Sequence, residues 1–257
     1  MKNILKWIGV TLLAIIVLVA LVGIYNNSPS VILSKLLKKG SVKTSELQYR
    51  VNFLGVFPVA QAIFFDKKEE SLKGQKVYHL SGVAETLKRY KQMFSASAVL
   101  DSYIDIVTGN PMLFTQKVVS PGKESPSKEV IYDQVNKTIT IKGEKRDIFP
   151  DTQDALSAIF KIRHMDLEKT KEFEMSINTS KKNYVLRAKV EPREIIIKKN
   201  KFKTFIVKGD IRRRDKNNPY HQTKITMVLL KDKENVPIYI KVFASGALIT
   251  ARLVDTK

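Results

Sequence analysis

From Glu46 onward the chain is a succession of short β-branched and aromatic runs, cut by Gly, Pro and Asn signals about every ten residues. Parallel strands need a crossover of roughly a dozen residues or more, and few of the gaps here are long enough to supply one. Sequential neighbours must therefore pair antiparallel, as a meander. This one property removes most architectures from consideration.

The runs divide the chain legibly. "ELQYRVNFLGVFPVAQAIFFD" reads as two strands meeting near Gly55–Pro58, with Leu47, Tyr49, Val51 and Phe53 alternating onto one face. "QKVYHLSGVAE" is a strand, and "LKRYKQMF" reads as a short helix. Hairpins follow with turns at Gly109–Pro111 and near Asn136. Residues 170–211 give three or four strands, and two more lie at "TKITMVLLKD" and "PIYIKVFASGALITARLV". Ile225, Met227 and Leu229 on one face and Val228 and Leu230 on the other predict that part of the sheet is covered twice. The expected fold is mainly β: a large antiparallel curved sheet, or incompletely closed barrel, of about a dozen strands with one or two short helices.

"FPDTQDALSAIFKIRHMDL", residues 149–167, interrupts this texture with a helix. Asp151 serves as N-cap with Asp154 three residues on, or Asp154 serves with Ser157 in the first turn. Either choice sets negative charge at the positive end of the helix dipole. At about 100° per residue Leu156, Ile159, Phe160 and Arg163 share one side. Arg163 thus projects from the apolar face and needs a negative partner, because an unpaired buried guanidinium is costly. A strand acid such as Glu191 or Asp210 is the expected partner; a ligand headgroup over Phe160 and Arg163 is the rival.

The first 25 residues contain no acid, and from Trp7 to Tyr25 there is no charge. That length is near the ~20 residues that cross a bilayer core, with aromatics at both ends. Residues 1–25 are expected to form a signal-anchor transmembrane helix; a cleaved signal peptide followed by secretion is the alternative. Residues 26–44 form a basic amphipathic segment, either lying on an anionic membrane surface or packing on the domain, and residues 45–257 form the β-domain. Lysines on both sides of the apolar run leave orientation undecided by charge.

The net charge of +20 favours anionic partners without choosing among them. The absence of cysteine excludes disulfides and thiol catalysis. His79, His164 and His221 have no second ligand at metal-binding spacing, and no phosphate loop, GxSxG elbow or HExxH occurs. No catalytic residue, metal or cofactor is expected. "GDIRRRDKNNPYHQTK" has turn composition around Arg212–Arg214 and reads as a solvated hairpin tip, not a nucleic-acid surface.

The helical segment resembles the signature of domain-of-unknown-function family 3108, a group of exported bacterial cell-envelope proteins. That signature runs approximately Asp-Pro-Leu-Ser-Ala-hydrophobic-aromatic-aromatic-hydrophobic-Arg. Asp154, Leu156, Ser157, Ala158, Ile159, Phe160, Ile162 and Arg163 match it, while Ala155 replaces the proline and Lys161 the second aromatic. The family's proline suits the first helical position and so supports Asp154 as N-cap. "LQYRVNFLGVFPVAQA", "SYIDIVTGNPMLFTQKV" and "VPIYIKVFASGALITARL" are similar to the family's opening, central and closing strands, so the resemblance spans residues 45–254. It implies export, and therefore an inner-membrane protein with its β-domain on the periplasmic side. It supplies no reaction and no catalytic residues.

The leading expectation is a non-enzymatic envelope protein that holds an apolar or amphipathic ligand, or an envelope polymer, in its curved sheet. The alternative is a structural or assembly factor with a fully packed interior that binds protein partners. A weaker alternative is a hydrolase of envelope glycan or lipid, testable at His79, Asp154, Ser157 and Arg163. The partner common to these readings is the membrane, through the single-pass anchor and an anionic lipid surface.

Overall fold

Each strand pairs with its neighbour in sequence except across the helix, and the first pairs with the last. The computed structural model describes residues 45–92, 95–120, 123–179, 182–197, 200–214 and 223–256. The expected anchor over 1–25, the basic segment over 26–44 and His221 lie outside the described residues.

The strands are β1 (Glu46–Phe53), β2 (Phe57–Leu72), β3 (Gln75–Thr86), β4 (Ser97–Asp105), β5 (Pro111–Ser120), β6 (Lys123–Asp133), β7 (Thr138–Ile141) and β8 (Glu144–Asp147). After the helix α1 (Ala155–His164) come β9 (Glu172–Thr179), β10 (Lys182–Ile197), β11 (Asn200–Arg213), β12 (Thr223–Leu230), β13 (Pro237–Ala244) and β14 (Ala247–Thr256). They form one 14-stranded antiparallel sheet in the order β8-β7-β6-β5-β4-β3-β2-β1-β14-β13-β12-β11-β10-β9. The chain thus winds outward from β1 to one edge, crosses through α1 to the other edge, and winds back.

Local chemistry accounts for the meander. Three two-residue connections, Lys73–Gly74, Lys142–Gly143 and Ser245–Gly246, have positive φ at both positions. That backbone twist matches the twist of the flanking strands and closes tight hairpins. In β1 the alternation holds: Leu47, Tyr49 and Val51 are buried, and Tyr49 Oη donates to the carbonyl of Pro237 at 2.8 Å. The count exceeds the expected dozen for two reasons. "PIYIKVFASGALITARLV" folds into two strands about its Ser245–Gly246 turn, and β8 is an exposed polar strand without a hydrophobic signature. Of the helix expected at "LKRYKQMF", the described residues form a 3-10 turn, Lys88–Tyr90, which buries no residue; Met93 and Phe94 lie outside the described residues.

Three buried clusters line the interior. One joins β9–β14 around Leu186, Val207, Met227 and Leu229. A second joins β1–β3 with β12–β14 around Tyr49, Val59, Leu230 and Ile249. A third joins β3–β7 around Leu100, Ile104, Tyr132 and Ile139. Adjacent residues Leu229 and Leu230, expected on opposite faces of β12, are both buried and belong to different clusters. A register shift between Val228 and Leu229 permits it.

The edge strands β8 and β9 do not pair with each other, and the sheet is not closed. The segment leading from β8 to α1 bridges the gap. Gln153 makes an isolated parallel bridge to Ile177: its N–H donates to Ser176 O at 2.8 Å, and its carbonyl accepts from Asn178 N at 2.9 Å. Asn183 Nδ2 of β10 donates to Asp147 O at 2.9 Å. Arg214 was expected in a solvated tip. Its guanidinium instead lies 4.1 Å from the centre of the Phe149 ring and donates to Glu174 and Ser176, tying the same seam.

Candidate functional site

The helix α1 is positioned by its first residue pair. Asp154 is extended (φ −85°, ψ −176°), and its Oδ1 accepts from Leu156 N at 2.8 Å and Ser157 N at 3.0 Å. Ser157 Oγ in turn accepts from Asp154 N at 2.9 Å, completing a reciprocal cap. The other carboxylate oxygen accepts from Ser102 Oγ of β4 at 2.6 Å. Asp154, Ser102 and Ser157 are buried, and burial pushes the Asp154 carboxyl above its usual range against the pull of these hydrogen bonds. Of the two candidate caps, Asp154 is the one used. Asp151 stands at φ 54° and accepts from Asn110 Nδ2 at 2.8 Å.

Asn110, from the Gly-Asn-Pro turn, organises the approach to the helix. Its Oδ1 accepts from Gln153 Nε2 at 2.7 Å and from Lys161 Nζ at 3.0 Å. Gln134 Nε2 holds Thr152 O at 2.8 Å. The turn before β5 and the entry to α1 are thereby one network.

Two faces of α1 enter two clusters. Leu156 and Phe160 join the third cluster, while Ala158 and Ile162 join the first. Each fully buried large apolar side chain contributes about 1.5–3 kcal/mol by removal from water. Leu156, Ile159, Phe160 and Arg163 do share a side, and with Leu47, Tyr49, Phe64, Leu80, Pro237 and Ile240 they line a cavity of about 30 Å³. That is the volume of about one water molecule.

Arg163 is buried, as its place on the apolar face implied. Its partner is neither Glu191 nor Asp210. Glu191 pairs with Lys208 at 2.8 Å, and both acids alternate onto the side of β10 and β11 away from the interior. Arg163 Nε instead donates to Glu234 O at 3.2 Å, and its guanidinium lies 3.6 Å from Glu234 Oε2. Asn235 Nδ2 returns a bond to Arg163 O at 2.8 Å, so the β12–β13 connection clasps the helix end. The charge of Arg163 also opposes the upward push that burial gives the Tyr49 phenol. His164 stacks on Phe160 with ring centres 4.0 Å apart, and its Nδ1 sits 2.8 Å from Phe160 O.

The remaining chemistry is dispersed. On the outer face His79 lies between carboxylates, with Nε2 2.9 Å from Asp101 and Nδ1 3.3 Å from Glu70, and its ring stacks on Tyr103 at 4.4 Å. The bond to Asp101 raises the imidazole pKa against desolvation. Asp154 and Ser157 stand together only as a cap, on the opposite side of the sheet from His79. Lys128 of β6 lies 5.8 Å from the Phe114 ring centre, and burial lowers its ammonium to about 8, with Asp154 opposing. No trio of metal-binding side chains occurs among the described residues. A recess of about 740 Å³ lies over β9–β12 and is lined by Glu172, Glu174, Arg187, Lys189, Lys208 and Asp210 among others. Among the described residues no helix is long and apolar enough to cross a membrane.

No curated protein matches this chain. Its fold is similar to that of a beta-barrel-like protein of domain of unknown function DUF1849 from Brucella abortus, with a TM-score of 0.59 at 9% identity, covering 83% of this chain and 98% of that one. Weaker likenesses, without weight here, are to a protein designated a lipoprotein from Parabacteroides distasonis (TM-score 0.36, 8% identity, 84% and 95% covered) and to lipoprotein LppX of Mycobacterium tuberculosis (TM-score 0.23, 9% identity, 89% and 94% covered). The family described as Protein of unknown function (DUF3108) matches residues 48–253. With that span, the capped Asp154–Arg163 helix and the meander around it, the chain belongs to the DUF3108 family.

Proposed function

We propose that this protein is a non-enzymatic structural or assembly factor of the cell envelope, held at the cytoplasmic membrane by residues 1–25. Its β-domain stands on the extracytoplasmic side and binds a protein partner through its outer surface. The observation that carries this reading is the filled interior: beside Phe160 and Arg163 only about 30 Å³ is open. A site for a drug-sized molecule needs roughly 300–1,000 Å³. A ligand enclosed by the curved sheet therefore requires α1 to leave its place, against the Asp154 cap and the Glu234 clasp. The recess of about 740 Å³ over β9–β12, with basic and acidic side chains alternating along it, supports recognition from outside. A non-catalytic role is supported by the engagement of His79, Asp154 and Ser157 in structural bonds.

The test is mass spectrometry of lipid extracts from protein purified out of native membranes, together with crosslinking in cells. The expected result is no stoichiometric lipid and a defined crosslinked partner that is lost on charge reversal at Lys189 and Lys208. One tightly held lipid per chain overturns the packed-interior reading and restores the enclosed-ligand one.

A further inference from the structure

Two turns at one end of the sheet are built alike and each lifts a valine into solvent. In Asp105–Ile106–Val107–Thr108, Asp105 Oδ1 accepts from Val107 N at 3.0 Å, Thr108 N at 2.7 Å and Thr108 Oγ1 at 2.9 Å. In Asp133–Gln134–Val135–Asn136, Asp133 Oδ1 accepts from Asn136 N at 2.9 Å, and its Oδ2 accepts from Asn136 Nδ2 at 2.7 Å. Such Asp-centred turns normally carry polar residues at the tip. Here Val107 is 87% exposed and Val135 89%, the highest values among large hydrophobics of the described residues. Each turn is also tethered from outside: Gln75 Nε2 donates to Asp105 Oδ2 at 2.9 Å, and Gln134 Nε2 to Thr152 O at 2.8 Å. The valines are held outward by fixed backbone.

The topology says what this end faces. All neighbouring pairs are antiparallel, so the β2–β3, β4–β5, β6–β7, β10–β11 and β12–β13 connections share the end where β1 begins at Glu46. Residues 1–44 join the domain at that end. The exposed lysines Lys73, Lys137, Lys203 and Lys233 stand in or beside the same connections, and Ile196, 68% exposed, lies near the tip of β10–β11. Exposed apolar tips among lysines are the chemistry of an interface between headgroups and acyl chains.

We propose that Val107 and Val135 enter the headgroup region of an anionic bilayer, so that this end of the barrel-like sheet is apposed to the membrane. The inference rests on the tethering reading above. Two valines bind a bilayer weakly by themselves; a tether at Glu46 keeps them at high effective concentration there. The recess over β9–β12 is then left free for a partner, since only the turns are occupied.

The chain has no cysteine, which makes single labelling sites available. Full-length Val107→Cys, Val135→Cys, Val56→Cys and Leu13→Cys are nitroxide-labelled in nanodiscs of phosphatidylethanolamine and phosphatidylglycerol. Accessibility to oxygen and to an aqueous nickel chelate is read at each label. Val56, 60% exposed in the β1–β2 turn at the opposite end, is the reference. Labels at 107 and 135 are expected to show a several-fold higher oxygen-to-nickel ratio than the label at 56, diminished in nanodiscs of phosphatidylcholine alone. A lipid-embedded label at 13 with nickel-accessible labels at 107 and 135 overturns this proposal alone. A nickel-accessible label at 13 overturns the tethering reading and this proposal with it. Labels at 107 and 135 shielded from both reagents indicate a protein contact and also overturn it.

Discussion

Arg163 and Glu234, 71 residues apart, meet where the helix ends: Nε donates to the backbone carbonyl at 3.2 Å, and the guanidinium lies 3.6 Å from the carboxylate. The arginine is buried, while the glutamate side chain keeps 38% of its exposure. The pair therefore joins a dry cation to a half-solvated anion, and the two partners are not of equal consequence.

Arg163→Ala is expected to destabilise the fold by about 2–3 kcal/mol. Removing one member of a buried pair costs ~3–5 kcal/mol, reduced here because Glu234 reaches water. Glu234→Gln, which keeps the backbone acceptor, is expected to cost about 1 kcal/mol. Urea-unfolding midpoints of the two variants check the order; equal midpoints contradict it.

Asp154 carries three hydrogen bonds at the start of α1. Asp154→Ala removes the cap and leaves Ser102 Oγ without its acceptor, for an expected loss of about 2–3 kcal/mol. Asp154→Asn keeps a capping oxygen and is expected to lose about half as much. Thermal melts compare them, and a reversed order means that Asp154 stabilises the helix chiefly by something other than capping.

The stability of the outer face depends on pH through His79. Asp101 and Glu70 both favour the imidazolium, so the folded pKa lies above the ordinary value near 6.5. The contribution is complete below that ordinary value and is lost as pH rises through the folded pKa. The bonded carboxyl of Asp101 is held low, so its own contribution is present above the usual Asp range and lost only in stronger acid. Solvent screening keeps the histidine contribution below about 1 kcal/mol. His79→Gln is expected to flatten the stability profile from just below pH 7 upward, measured by denaturation at stepped pH. An unchanged slope locates the titration elsewhere.

Lys128 points from β6 toward Phe114, and burial lowers its pKa to about 8. After reductive methylation with carbon-13, one dimethyl-lysine resonance is expected to titrate near pH 8, apart from the surface lysines, and to vanish in Lys128→Met. Titration of every resonance near the ordinary lysine value contradicts the burial.

Gly209 sits opposite Ala188 and Ile225 in the sheet. A Cβ there comes within 2.6 Å of Leu186 Cδ1 and 2.9 Å of Arg187 O. The second contact is backbone and cannot swing away. Gly209→Ala is therefore expected to cost about 1–3 kcal/mol by overpacking, read as a lowered melting temperature.

Periodicity and turn chemistry told most of the fold. The alternation of Leu47, Tyr49 and Val51, the turns at Gly109–Pro111 and Asn136, and the apolar side of α1 are local properties, written in spacings of two to four residues. Glu191 and Asp210, the expected partners of Arg163, fall on the outward side of their strands' alternation, a local signal that the expectation passed over. The identity of Glu234 was not legible. Neither were the Asn110–Gln153 link, the Ser102–Asp154 bond or the closing of the seam by Phe149 and Arg214. Each joins residues dozens of positions apart or across strands of undetermined register, and register arises only when the whole sheet chooses its pairing. By itself the sequence determined an antiparallel meander around one capped helix, because strands and caps follow from neighbours along the chain. Tertiary structure alone decided that the helix fills the interior to about one water's volume and that two valine-tipped turns gather at the end where β1 begins, because volume and placement are properties of packing rather than of order.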